Sequence, residues 1–214
     1  MDKSGNCITL IGMPASGKST VGVVLAKKLG KQFIDTDLVI QEQTGKLLKE
    51  LIEIHGDDGF REIEDRINAS IRAENAVLAP GGSAVYGKRA MANFKKLGTV
   101  VYLKLPYPAL RLRIGNLKER GVSMKPGQTF YQLYRERTRL YEKYADIVVD
   151  ERGLPIRAVV DRIIRLTGNA SPAESRSPKE GRRPKENGKR GLAPGKHALS
   201  GARGHGKPLG PGGK

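Results

Sequence analysis

Residues 12–20 read Gly12-Met13-Pro14-Ala15-Ser16-Gly17-Lys18-Ser19-Thr20, the pattern G-x-x-x-x-G-K-[ST]. Before them lies a short apolar run, Cys7-Ile8-Thr9-Leu10-Ile11, which reads as a buried strand. After them Val21, Val24, Leu25 and Leu29 recur at three- and four-residue steps until Gly30 stops the pattern, so a helix follows. A strand that turns through glycines into a helix N-terminus builds an anion site at the turn. The glycines let successive backbone N–H groups face phosphate oxygens. The helix adds its positive end. Lys18 is placed to reach β- and γ-phosphates, and the Ser19 hydroxyl to meet Mg²⁺. Gly12, Pro14, Ala15, Ser16, Gly17, Lys18, Ser19 and Thr20 are therefore the expected nucleotide-binding residues.

The chain keeps alternating between the two periods as far as about residue 167. Short runs at Gln32-Phe33-Ile34, 76–79, 99–103 and 147–149 read as further strands. Helical periodicity is expected over about 37–54, 58–73, 87–97, 107–117 and 128–143, with a last amphipathic helix carrying Ile156, Val159, Val160, Ile163 and Ile164. Continuous apolar strands separated by helices predict an α/β domain, a doubly wound parallel sheet of five strands covered on both faces.

Beyond Leu166 the rhythm is lost. Residues 168–214 hold 11 of the chain's 27 glycines and 6 of its 12 prolines, with 11 Lys and Arg against 3 Asp and Glu. Such a composition cannot offset the entropy of ordering, so 1–167 is expected to fold and 168–214 to form a disordered basic tail. Lys and Arg there could neutralise nucleic-acid phosphates, but the segment has no Phe, Tyr or Trp to stack on bases. A solvated tail is the preferred expectation. No apolar run has the length of a membrane span, and the N-terminus lacks the pattern of a secretory signal. One cysteine, Cys7, allows no internal disulfide, and no Cys/His cluster suggests zinc. The expectation is a cytoplasmic monomer.

Chemistry beyond the loop starts at Asp35-Thr36-Asp37. Two carboxylates at the carboxyl end of a strand are expected to project together into the crevice where such sheets bind ligands. One could hold Mg²⁺ with Ser19; the other could take a proton from an attacking hydroxyl. Arg61 and Glu64, three apart on a helix, could pair. Pro80-Gly81-Gly82-Ser83 follows the third strand, where paired glycines allow close approach to a ligand. Tyr131, Tyr134, Tyr141 and Tyr144 recur at helical steps and read as packing.

Taken in order, these pieces resemble the shikimate kinase family. The matching parts are the loop 12–20, Phe33-Ile34-Asp35-Thr36-Asp37, Gly59-Phe60-Arg61-Glu62-Ile63-Glu64, Gly81-Gly82, Gly98-Thr99-Val100-Val101-Tyr102-Leu103, and Glu136-Arg137-x-x-Leu140-Tyr141 followed by Ala145-Asp146. The resemblance covers about 7–165. It implies a nucleoside-monophosphate-kinase-like fold, ATP as co-substrate with Mg²⁺, and a small anionic hydroxylated acceptor. It further implies that Asp37 contacts and activates the acceptor hydroxyl. Asp35 and Ser19 would serve the metal, and Arg61 and Arg137 would clamp a carboxylate. Glu64 would orient Arg61, and Gly81 and Gly82 would meet the acceptor. Arg120 would close over the phosphates from a lid at about 118–127, and 151–155 would lie beside the adenine.

The chain departs from the family pattern at three places. Ser83 stands where a third glycine is usual. The lid reads Arg120-Gly121-Val122-Ser123 rather than Arg-Pro-Leu-Leu, and Arg139 stands where Pro is frequent. The implied reaction is phosphorylation of shikimate to 3-phosphoshikimate in aromatic amino acid biosynthesis. Another small hydroxy acid or polyol is the alternative acceptor.

Overall fold

A computed structural model describes residues 5–114, 122–125 and 127–169. Its sheet is built around β1 (Cys7–Ile11), with β2 (Gln32–Asp35), β3 (Ala76–Ala79), β4 (Gly98–Lys104) and β5 (Ile147–Asp150) in the order β2-β3-β1-β4-β5. Every pairing is parallel, as the apolar runs predict; Ile8 stands opposite Val77 on one side and Thr99 on the other. The order puts β1 between two outward-running halves. Its carboxyl end is the switch point at which open α/β sheets bind ligands, and the 12–17 loop leaves from that end.

Alternation along β1 divides the core. Ile8 and Leu10 face α1 (Lys18–Leu29) and α7 (Ile156–Leu166), packing with Val21, Leu25, Val159 and Ile163. Cys7 and Ile11 face the other way, into a cluster with Met91 and Phe94 of α4 (Lys88–Leu97) and Leu133 and Tyr141 of α6 (Phe130–Tyr144). Cys7 is thus a buried packing residue, as its place in the first strand implies. Tyr141 is buried and stacks on Tyr102 with ring centroids 5.1 Å apart, in keeping with the packing reading.

The stretch expected to be helical over 37–54 is broken. α2 (Thr36–Thr44) stops at Gly45, whose φ of 66° is left-handed and whose N–H closes onto the Gln41 carbonyl. The apolar period runs through this break because Ile40 and Leu51 both face the same small core, with Phe60 and Ile67. α3 (Leu48–Ser70) then begins with the Glu50 carboxylate accepting the Leu47 N–H, and bends at Gly56. Its Asp65 carboxylate accepts from Ala90 N–H at 2.7 Å and Arg89 Nε at 2.8 Å, which caps α4 and ties the two helices. Thr129 and Gln132 cap α6 reciprocally.

A short α5 (Tyr107–Arg113) follows β4; its expected extension to 117 runs outside the described residues. Arg120 also lies outside them, and of the expected lid only 122–125 and 127 are described. Of the 168–214 segment only Gly168 and Asn169 are described, in a turn after α7. Among the described residues no helix is long and apolar enough to cross a membrane.

Candidate active site

The loop after β1 has the backbone its glycines permit. Gly17 adopts φ 94° at the start of α1, and Ala15 is the one non-glycine among the described residues with positive φ, 63°. Lys18 folds back across the loop and donates to the Gly12 and Met13 carbonyls at 2.9 and 3.0 Å. Burial pushes its ammonium down to about 8, against the nearby Asp37 and Asp35 carboxylates, which favour the charge.

Asp35 and Asp37 part company, and do not project from one strand as the spacing suggests. Asp35 ends β2 and caps α2: its Oδ1 accepts the Asp37 N–H at 3.1 Å. Its Oδ2 accepts from the Ser19 hydroxyl at 3.1 Å. Asp37 sits in the first helical turn and lines a cavity of about 230 Å³. Its Oδ1 is buried with no hydrogen-bond partner. Burial, then the Asp35 charge, raises its carboxyl to about 6, with Lys18 opposing. A carboxylate poised there suits proton abstraction near neutral pH.

Among the described residues no group of three or more His, Cys, Asp or Glu could hold a metal. The Ser19 hydroxyl and Asp35 carboxylate are nonetheless hard oxygen donors beside the phosphate loop. Two such donors suit a cation that keeps waters and is held partly by phosphate oxygens.

The cavity wall continues through Pro14, Lys18, Glu64, Gly81, Gly82, Ser83, Val122, Ser123 and Arg137. Gly81 and Gly82 are close approaches. A Cβ on Gly81 would lie 2.7 Å from Glu64 Oε1 and 2.8 Å from Asp37 Oδ1. One on Gly82 would meet Pro14 Cδ at 2.9 Å and Arg137 Nη1 at 3.1 Å. Tyr141 donates its hydroxyl to the Gly82 carbonyl at 2.7 Å, so a residue read as packing also fixes this turn. Arg137 is 1% exposed. Its Nη2 donates to the Ser123 carbonyl at 2.6 Å, while its Nε is buried without a partner.

Arg61 and Glu64 do not pair as their spacing suggests. The ion pair of Arg61 is with the exposed Asp58, at 3.7 Å. Its guanidinium lies over the Tyr86 ring, 4.2 Å from the centroid, and its Nε and Nη2 are buried without partners. Glu64 instead has the Ser83 hydroxyl beside it in the cavity wall, and its Oε1 is buried without a partner. Burial raises Glu64 to about 7, and the Ser83 hydroxyl acts against that. The serine in the third glycine place therefore stands next to a buried carboxylate.

A second cavity, of about 290 Å³, lies on the other side of the loop, between Gly17, Thr20, Arg113, Glu151, Leu154 and Ile156. It fits the 151–155 segment expected beside a nucleotide base. Glu151, the first residue of that segment, is 5% exposed, has an unpartnered Oε1 and is pushed up to about 7 by burial. The sequence reading missed Tyr86 and Arg113, which carry no local signal because their partners are remote in sequence.

Comparison with known proteins agrees with this geometry. The family model described as shikimate kinase matches residues 14–167. A shikimate kinase of Nitrosomonas europaea is 40% identical over 165 residues, covering 75% of this chain and 77% of that one. One from Nitrosococcus oceani is 35% identical, covering 74% and 85%. Among solved structures, the shikimate kinase of Acinetobacter baumannii in complex with shikimate superposes with a TM-score of 0.68 at 30% identity, covering 78% of this chain and 95% of that one. That of Aquifex aeolicus gives 0.65 at 33%, covering 76% and 97%. The loop, the buried aspartate and the cavity walled by Arg137 thus stand in a chain that belongs to the shikimate kinase family.

Proposed function

We propose that this chain transfers the γ-phosphoryl group of ATP to a hydroxyl of shikimate, giving 3-phosphoshikimate and ADP, in aromatic amino acid biosynthesis. The observation that carries the reading is one cavity in which the phosphate-loop Lys18, the unpartnered Asp37 carboxylate and Arg137 with a free buried N–H converge. Buried polar groups without partners are rare in native structures. Here they are complementary to an anion that also carries a hydroxyl.

In this mechanism the loop residues 12–20 hold the ATP phosphates through backbone N–H groups. Ser19 and Asp35 would hold Mg²⁺, which would neutralise charge on the phosphates. Arg137 and Arg61 take the acceptor carboxylate, for which the planar guanidinium is the fitting donor. Asp37 accepts the proton of the attacking hydroxyl. Lys18 stabilises charge on the transferring group, and Arg120 is proposed to join it from the lid. Gly81 and Gly82 give the acceptor room beside the wall. The protein is proposed to act in the cytoplasm.

The clamp is tested by calorimetric titration of shikimate and of its methyl ester. Charge-assisted hydrogen bonds support an affinity loss of about 10- to 100-fold for the ester. Equal affinities, or stronger binding of a carboxylate-free polyol, would contradict the assignment.

Of the four shifted groups at the two cavities, Asp37 and Lys18 are the two that the transfer uses, and they set the pH profile. Asp37 works as the carboxylate, so kcat/KM rises with pH through about 6. Lys18 works as the cation, so kcat/KM falls again above about 8. Bound ATP phosphates favour the Lys18 charge, so kcat keeps the acid limb while its alkaline limb moves up. Initial rates under saturating and limiting ATP check both limbs.

A further inference from the structure

Two arginines with unsatisfied N–H donors flank one aromatic ring outside the cavity wall. Tyr86 lies in the short 3-10 turn Ala84–Tyr86, three residues beyond Ser83. Arg61 sits over its ring at 4.2 Å, and the Arg137 guanidinium lies 5.4 Å from the same centroid. Both distances fall within the range in which a guanidinium is attracted to a ring face. Burial pushes the Tyr86 phenol up from its ordinary value, and the Arg137 charge acts against that.

The alternatives for holding Arg61 are weak. Asp58 is 3.7 Å away and its side chain is 96% exposed, where solvent screens the pair. Glu64 has the Ser83 hydroxyl beside it and an Oε1 without a partner. The ring face holds a cation without consuming any N–H donor. Arg61 Nε and Nη2 and Arg137 Nε accordingly stay without partners. Two like charges brought toward one site repel, and a shared ring offsets part of that cost.

We propose that Tyr86 is the positioning residue of the carboxylate clamp: its ring face holds the Arg61 and Arg137 guanidinium groups so that their free N–H donors serve one acceptor carboxylate. The inference rests on the shikimate reading for the identity of that carboxylate, but not for the contact itself. Tyr86 touches the arginines rather than the acceptor, and it acts on binding rather than on phosphoryl transfer.

The test uses the full chain with Tyr86→Leu and Tyr86→Phe. The Leu variant removes the ring; the Phe variant keeps it and removes only the hydroxyl. Tyr86→Leu is expected to raise the shikimate KM about tenfold, from the strength of a partly buried cation–ring contact, with kcat and the ATP KM little changed. Tyr86→Phe restores the wild-type KM. With shikimate methyl ester as acceptor, wild type and Tyr86→Leu have the same KM, which general damage to the fold would not produce.

A second readout needs no acceptor. In nitrogen-labelled protein the Arg61 Nε–H proton is ring-shifted upfield, and the shift is lost in Tyr86→Leu and kept in Tyr86→Phe. Wild-type KM in Tyr86→Leu, a loss equal for acid and ester, or a Phe variant as impaired as Leu each overturns the proposal. A wild-type chain that keeps the Arg61 signature yet does not phosphorylate shikimate rejects the substrate reading and upholds the ring contact. Absence of the signature rejects the ring contact whatever the substrate.

Discussion

Asp37→Asn should lower kcat by about 10² to 10⁴, the range for losing a positioned general base. The amide is nearly isosteric, so the cavity keeps its shape. Its backbone N–H keeps the bond to Asp35 that caps α2. What is lost is the site that takes the acceptor proton, at a carboxylate held near about 6 by burial and the Asp35 charge. Because Asp37 also favours the Lys18 charge, a small change in ATP KM accompanies the loss. The acid limb of kcat/KM near 6 should disappear with the carboxylate. Steady-state rates against pH for both proteins check this. A variant that keeps wild-type kcat and its acid limb would show that Asp37 only binds the hydroxyl.

Gly81→Ala should lower kcat about a hundredfold, through displacement rather than loss of chemistry. A methyl group at this position would stand 2.7 Å from Glu64 Oε1 and 2.8 Å from Asp37 Oδ1. Neither separation is sustainable, and both carboxylates are buried, so they must shift together or the turn must move. Misplacement of a catalytic group by about 1 Å can cost about 10² in rate. The turn has little freedom, since Tyr141 holds the next carbonyl at 2.7 Å. ATP binding, made by loop residues beyond this contact, should stay near wild type. Single-turnover rates alongside ATP affinity separate the two. Wild-type kcat would mean that the glycine serves the fold alone.

Local chemistry made part of this legible in advance. The 12–20 loop could be read because its backbone demands, glycine at the turn and a helix behind, are written in consecutive residues. Most of the strands were legible for the same reason, as continuous apolar runs; β2, with Gln32 and Asp35 at its ends, is carried by Phe33 and Ile34 alone. The division between Asp35 and Asp37 was not, because a helix start at Thr36 turns one carboxylate into a cap and the other into the cavity. The break at Gly45 escaped because the apolar period passes across it. Arg61 and Glu64 are spaced to pair, yet tertiary neighbours win: Tyr86 takes the cation and Ser83 stands beside the carboxylate. Glu151 and Arg113 meet at the second cavity only after folding. Spacing along one helix cannot report such partners, since they arrive from other elements.

Ser83 and the sequence of the lid are the departures that bear on the acceptor. The Ser83 hydroxyl lies beside the Glu64 carboxylate. Val122 and Ser123, which replace apolar lid residues usual in the family, form part of the wall, and the Ser123 carbonyl holds Arg137. Both departures therefore support the arginine and carboxylate framework rather than remove it.

The most direct test of the account is ³¹P NMR of the full chain with ATP, Mg²⁺ and shikimate, with Asp37→Asn as control. The account predicts a new phosphomonoester signal coupled to the ring proton at position 3, growing as ADP forms and nearly absent with the variant. Release of inorganic phosphate alone, or a phosphomonoester only when another hydroxy acid or polyol replaces shikimate, would contradict it.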